Sequence, residues 1–178
     1  MSKFAEFDVS PSLRAGALDV SVRLARAEDE DAIARLFLDR NGGDEAAVRD
    51  GVRADVEANG DGRLLCVAIH DGQVVGYGRA RVLDYSKSGS DAPPSGWYLV
   101  GVVVAPEHRR RGVGRALTEA RIELLRSRTD RVHYFASLLN RASIALHTEL
   151  GFRLVQRPAT VPGVPFSGGE GALFELSW

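Results

Sequence analysis

From Arg109 to Arg115 the chain reads RRRGVGR: four of these seven residues are arginine and two of the other three are glycine. Arginine offers a planar fork of donors that matches phosphate oxygens. Glycine has no Cβ, so Gly112 and Gly114 allow a ligand to come close to the backbone. The chemistry open to such a stretch is the holding of a phosphate or pyrophosphate. Its neighbours strengthen that reading. WYLVGVVVA before it is β-rich and nearly all apolar, and VGRALTEARIELLRSR, which overlaps its end, has the pattern of an amphipathic helix. A loop leading into a helix start lies where backbone N–H groups lack intrahelical partners and the helix dipole is positive, so an anion is stabilised there.

Two well-known phosphate loops do not fit. A Walker loop needs Gly, four residues, then Gly-Lys-Ser/Thr, and no such stretch occurs. The dinucleotide fingerprint needs a third glycine where this chain has Leu117, and it follows its strand directly, whereas here residues 106–111 intervene. A nucleic-acid patch is the weakest alternative. No aromatic residue is interleaved with the arginines, and the net charge is −1.

The elements that must position this loop follow from pattern. DVSVRLAR alternates as a strand, and AEDEDAIARLFLDR reads as a helix with an acidic first turn and Ile33, Leu36 and Phe37 on one face. A second helix carries Val48, Val52 and Val56 at four-residue steps. RLLCVAIH and QVVGYGRARVLDY form a hairpin around Asp71-Gly72. The apolar strand, the arginine loop and the amphipathic helix come next. They are followed by the strand RVHYFASLL, a helix headed by Asn140 and stopped by Gly151, and two final strands around the Gly/Pro-rich PGVPFSGGEG. The order β α α β β β α β α β β predicts a mixed α/β domain. Only its central β-α-β stretch, about residues 97–139, demands parallel strands.

Composition sets the outer bounds. The chain has 178 residues, 44% hydrophobic and 26% charged, as ordinary globular domains do. Residues 1–96 hold 12 Lys+Arg against 17 Asp+Glu and the rest hold 11 against 7, so an acidic first half precedes a mildly basic second half. No apolar run reaches the roughly 18 residues of a membrane helix. The first residues lack the sections of a signal peptide, and the single cysteine, Cys66, reads as a small buried hydrophobe. The expectation is a cytoplasmic protein with neither a membrane nor a nucleic acid as partner.

The stretch VAPEHRRRGVGRAL resembles the signature of the GNAT superfamily of N-acetyltransferases, in which a central strand leads into Arg/Gln-x-x-Gly-x-Gly/Ala; here Arg109, Gly112 and Gly114 match. NRASIALHTELGF resembles the family's second motif, an Asn-headed helix ending in Gly-Phe, with Asn140, Gly151 and Phe152 in place. The resemblance runs from about residue 20 to the C-terminus and leaves 1–19 as an N-terminal arm. It implies a single GNAT-like domain over 20–178, with a mixed, mostly antiparallel sheet of about six or seven strands, a central parallel pair and about four helices. It also implies acetyl-CoA as acyl donor, no metal, and direct transfer of the acetyl group to a primary amine of a small molecule or peptide. Val102, Val103 and Val104 would pair with the pantetheine arm. Arg109, Arg110, Arg111, Gly112, Val113, Gly114 and Arg115 would cradle the pyrophosphate, mainly through backbone amides, and Asn140 would contact the pantetheine or diphosphate. Dimers are frequent in the family, so a homodimer is an open expectation.

One position departs from the pattern. Where the family often carries a tyrosine that protonates the departing thiolate, seven residues after the asparagine, this chain has His147. Seven residues are about two helical turns, so Asn140 and His147 share a face. A histidinium can donate the proton, and a packing role is the equal alternative. The strand glutamate that some members of the family use as base is also missing, which leaves His133, Tyr98 and Tyr134 as base candidates by location, or deprotonation through an ordered water chain with no dedicated base. For a cationic acceptor, Asp39, Asp44, Glu45 and Asp84 are the acidic candidates, with Trp97, Tyr98 and Phe166 as apolar lining. These departures keep a second class open, a non-catalytic acyl-CoA-binding module.

Overall fold

The computed structural model describes residues 16–89, 92–159, 161 and 170–178. Eleven regular elements follow the predicted order: β1 Ser21–Leu24, α1 Glu30–Asn41, α2 Glu45–Glu57, β2 Arg63–His70, β3 Gln73–Leu83, β4 Gly96–Val104, α3 Val113–Arg126, β5 Arg131–Ser137, α4 Arg141–Glu149, β6 Arg153–Ala159 and β7 Gly171–Ser177. The seven strands form one mixed sheet in the order β1-β2-β3-β4-β5-β7-β6. β4 and β5 run parallel, pairing Tyr98 with His133 and Leu99 with Tyr134. β1/β2, β5/β7 and β6/β7 are antiparallel. The expected sheet, its central parallel pair and its four helices are all present.

The chain divides into two compact units, residues 1–80 with 101–123 and residues 81–100 with 124–178. In the first, the apolar faces read from the sequence form the core: Ile33 and Val52 are buried with Leu65, Val67, Tyr77 and Val103, and Leu36, Phe37, Val48 and Val56 pack against them. The hairpin turns where predicted, with Asp71 and Gly72 both at positive φ. In the second unit Tyr98 and Leu173 are buried with Leu83, Tyr85, Val100 and Phe135 around them.

The acidic start of the first helix differs from its simple reading. Residues 27–29 form a separate 3-10 turn. Asp29 is buried, accepting from both terminal nitrogens of Arg23 at 2.6 and 3.0 Å and from the Arg26 N–H at 2.8 Å. Its carboxylate serves a local ion pair as well as the helix dipole.

Two glycines admit close neighbours to β3. A Cβ on Gly76 would lie 2.8 Å from the Val103 carbonyl oxygen, so β4 packs backbone to backbone there. A Cβ on Gly78 would lie 2.9 Å from Nε of Arg121, the largest of the fully buried side chains. Within β4, Gly101 adopts φ +71°, a left-handed residue inside a strand that locally breaks the regular alternation. The strand is therefore less uniformly covered than its apolar sequence predicts: Tyr98, Leu99 and Val103 are buried and Gly101 is exposed.

Cys66 is fully buried on β2, and burial pushes its thiol up to about 12. At pH 8 the native protein is expected to leave an aromatic disulfide reagent unreacted over hours and to release one equivalent of chromophore on unfolding. Rapid reaction of the native protein would contradict the buried placement.

Candidate functional site

The first unit carries the loop. β4 ends at Val104, and the Ala105 N–H donates to the Val75 carbonyl at 3.0 Å. A 3-10 turn over Pro106–His108 follows, with Pro106 at its start, where a missing N–H costs nothing. Arg110 then takes φ +60° and Gly112 φ +87°. Helix α3 starts at Val113, and its first turn closes with the Ala116 N–H on the Gly112 carbonyl at 3.0 Å. The backbone that opens α3 comes from residues with little or no side chain in the way. Val113 is buried, so its backbone is what it offers outward, and an added Cβ on Gly114 would touch only Val102 Cγ1, at 3.9 Å. The glycine spacing thus has two separate causes: Gly112 is required by backbone conformation, whereas Gly114 leaves the helix start uncovered.

The arginines divide by role. Arg110 and Arg111 are exposed beside the helix start. Arg115 pairs along the helix with Glu119 at 3.4 Å. Arg109 folds back, its Nε donating to the Val104 carbonyl at 3.0 Å. Sequence reasoning missed a matching contact two residues earlier: Arg40, at the end of α1, donates to the Val102 carbonyl at 2.8 Å. Carbonyls two apart on a strand point to the same edge, so the edge carrying Val102 and Val104 is the one that turns away from Val75 and Gly76. Val102–Val104 and Arg109–Arg115 lie in the same unit, with Val103 and Val113 buried.

Arg121 and Asp55 were also missed. The Arg121 guanidinium is buried with neutral acceptors around it: Leu117 carbonyl at 2.9 Å, Arg79 carbonyl at 2.6 Å, Gly101 carbonyl at 3.4 Å and Thr118 Oγ1 at 3.1 Å. Asp55, on the buried side of α2, pairs with Arg63 and Arg79, each at 3.2 Å. Both lie at helical spacing within amphipathic patterns, where a charged residue on the apolar face was the available signal.

The second unit carries Asn140 and His147. Asn140 is exposed and caps α4, its side chain accepting from the Ser143 N–H at 3.2 Å. Gly151 ends that helix at φ +95°. His147 is buried. Its ring stacks on Tyr134 at 3.6 Å between centroids and 2° between planes, and meets Phe152 edge-on at 5.1 Å. His147 Nδ1 lies 2.8 Å from the Ser143 carbonyl, so Nδ1 carries the proton and donates it there.

The base candidates are each held by hydrogen bonds within the second unit. Tyr98 donates its hydroxyl to the Pro94 carbonyl at 2.6 Å, and Tyr134 donates to Ser143 Oγ at 2.6 Å; burial raises the pKa of both phenols. His133 is buried and stacked on Tyr98, with Nε2 3.0 Å from Glu175; burial pulls its pKa down and the carboxylate partly offsets this. Glu175 stands opposite His133 in the β5/β7 register, so a carboxylate from β7 meets the His133 ring. Only the alternation of ALFELSW hinted at it.

The acidic acceptor candidates have structural work. Asp44 caps α2 through the Ala47 N–H at 2.8 Å, and Glu45 pairs with Arg49 at 3.0 Å. Asp84 accepts from Ser86 N–H and Ser95 Oγ, which hold it below the usual carboxylate range. Asp39 is exposed. Trp97 is half-buried and Tyr98 fully buried. Phe166 lies outside the described residues, as do residues 1–15 of the arm. Among the described residues, no group of three or more His, Cys, Asp or Glu side chains can hold a metal ion, and no helix is long and apolar enough to cross a membrane.

Residues 25–152 match the model of the acetyltransferase (GNAT) family, and the chain belongs to that family. It is 35% identical over 148 residues to the mycothiol acetyltransferase of Thermobispora bispora; the match covers 79% of this chain and 49% of that protein, so the chain spans about half its length. By fold it is similar to the ribosomal-protein-alanine N-acetyltransferase of Brucella melitensis, with TM-score 0.67 and 23% identity over 88% of this chain and 99% of that one. It is also similar to yncA of Salmonella typhimurium, solved with its cofactor acetyl-CoA, with TM-score 0.67 and 22% identity over 89% and 93% of the two chains.

Proposed function

We propose that the chain is an acetyl-CoA-dependent N-acetyltransferase that transfers the acetyl group directly to a primary amine of a small molecule or peptide. The observation that carries this reading is the loop geometry: Gly112 at positive φ, the uncovered start of α3, and exposed arginines beside it. The residues present fit a diphosphate. Backbone amides of the first helical turn and the side chains of Arg110 and Arg111 would hold it, and the Val102–Val104 edge would align the pantetheine arm. Bound there, acetyl-CoA would supply an acetyl group activated as a thioester.

In this reading Asn140 contacts the cosubstrate and His147 assists the departing thiolate. Because Nδ1–H is engaged by the Ser143 carbonyl, the neutral ring has no proton to give from Nε2. Donation therefore requires the doubly protonated ring. Expected: His147→Phe keeps the aromatic stack, lowers kcat by about 10- to 100-fold and alters the pH profile. Full turnover with an unchanged profile would assign His147 to packing alone.

Support for the chemistry comes from family membership and the loop; the acceptor is an amine of unspecified identity. The reading places the protein in the cytoplasm, with a homodimer tested by light scattering. Acetyl-CoA should raise Tm by mass action, while DNA and RNA should not. A thiol-release assay across amines then tests transfer. Tight CoA binding with no release from any amine would favour the acyl-CoA-binding module.

A further inference from the structure

The loop is braced by a segment that precedes the family-matched region, which begins at residue 25. Leu18 and Val20 are buried. The Leu18 N–H donates to the Arg111 carbonyl at 2.8 Å, and the Ala17 side chain lies 3.4 Å from where a Cβ on Gly112 would sit. One residue on, the Asp19 carbonyl accepts from Nδ1 of His70 at 2.8 Å, and the His70 ring packs edge-on against His108 of the 3-10 turn, 5.9 Å between centroids. Residues 16–20 are thus pinned to the loop and to the turn that leads into it.

Arg110, just before the Arg111–Gly112 peptide, and Gly112, which supplies its N–H, are both at positive φ. A non-glycine residue in that region persists only where its surroundings hold it. In a trans peptide the C=O and the N–H point in opposite directions. The donor on the Arg111 carbonyl therefore turns the Gly112 N–H to the other side of the loop. A flipped peptide would present a carbonyl in place of that donor and repel an anion.

Resting on the function proposed above, we infer that residues 16–20 are a strap that locks the Arg111–Gly112 peptide in its anion-binding orientation and so sets acetyl-CoA affinity. The strap is a positioning device and touches no reacting atom. The test uses the full chain and a substrate pair, acetyl-CoA and acetyl-pantetheine, which lacks the diphosphate. Leu18→Pro removes the N–H. It is expected to raise the Kd for CoA and the KM for acetyl-CoA about tenfold, the worth of one hydrogen bond to a constrained peptide. Its kcat at saturation and its kcat/KM for acetyl-pantetheine should stay at wild-type values. Leu18→Ala keeps the N–H and should lower Tm while holding Kd within about twofold. Should Leu18→Pro fail to fold, His70→Phe removes the Asp19 anchor in a folded background and should weaken CoA two- to threefold. A folded Leu18→Pro with wild-type Kd, an equal loss with acetyl-pantetheine, or an unchanged Kd in His70→Phe would overturn the strap. A wild-type chain that binds no CoA at all would remove the functional reading, and the strap with it.

Discussion

Replacing Arg121 with alanine is expected to destabilise the protein by about 3–5 kcal/mol, read from denaturant midpoints at neutral pH. The side chain is 1% exposed, and its guanidinium spans the carbonyls of Leu117, Arg79 and Gly101. Truncation leaves a cavity and removes the guanidinium donors from those carbonyls. Burial presses the Arg121 pKa down to about 10, so it stays charged at neutral pH. Since its folded pKa lies below the ordinary guanidinium value, the desolvation cost is present at all lower pH and is relieved only as pH rises above about 10. Arg121→Met fills most of the volume and removes the buried charge, so it should cost less, about 1–2 kcal/mol. Gly78 supplies the matching half of the test. A Cβ there would lie 2.9 Å from Arg121 Nε, so Gly78→Ala should destabilise the wild type. It should do so much less in the Arg121→Met background, because the two sites share one contact. Additive losses would show that glycine is needed at 78 for another reason.

Gly112→Val should raise the Kd for CoA by about 30- to 100-fold, measured by calorimetry, with a much smaller change in Tm. Gly112 sits at φ +87°, a conformation that a β-branched residue scarcely adopts, and its Cβ would meet Ala17 at 3.4 Å. The loop would relax into another conformation and scatter the amides that face the anion. Gly114 has an ordinary backbone, and its Cβ would meet nothing closer than 3.9 Å. Gly114→Ala should therefore fold as the wild type does and weaken CoA by a smaller factor, through lost room for the ligand alone. Arg110→Ala should do least, about two- to threefold, since an exposed charge near a diphosphate is screened by salt. The order 112, 114, 110 assigns the holding to backbone conformation. If Arg110→Ala proved the most harmful, the loop would be working by charge.

These substitutions also show which features were legible in the chain. The element order was, because β4 is apolar throughout, α2 repeats Val48, Val52 and Val56 on one face, and Asp71-Gly72, Asn140 and Gly151 are local stop and start signals whose effect needs no distant partner. The arginine loop was legible as an anion site for the same reason: a helix start and two glycines are local facts.

What tertiary structure alone decided is every contact between residues far apart in sequence. Arg40 on the Val102 carbonyl is one, Glu175 beside His133 across the β5/β7 register is another, and Leu18 on Arg111 is a third. The two glycines of the loop looked equivalent until the backbone angles separated them, and two of its four arginines, Arg109 and Arg115, had no distinct role until each found its own neighbour. The sequence left His147 open between proton donor and packing residue, and only the fold shows its ring stacked on Tyr134 with Nδ1 committed to Ser143. Local signals fix which elements form, because turns, caps and periodicity act within a few residues. The partner of a side chain is set by which elements the sheet places side by side, and no short window of sequence contains that information.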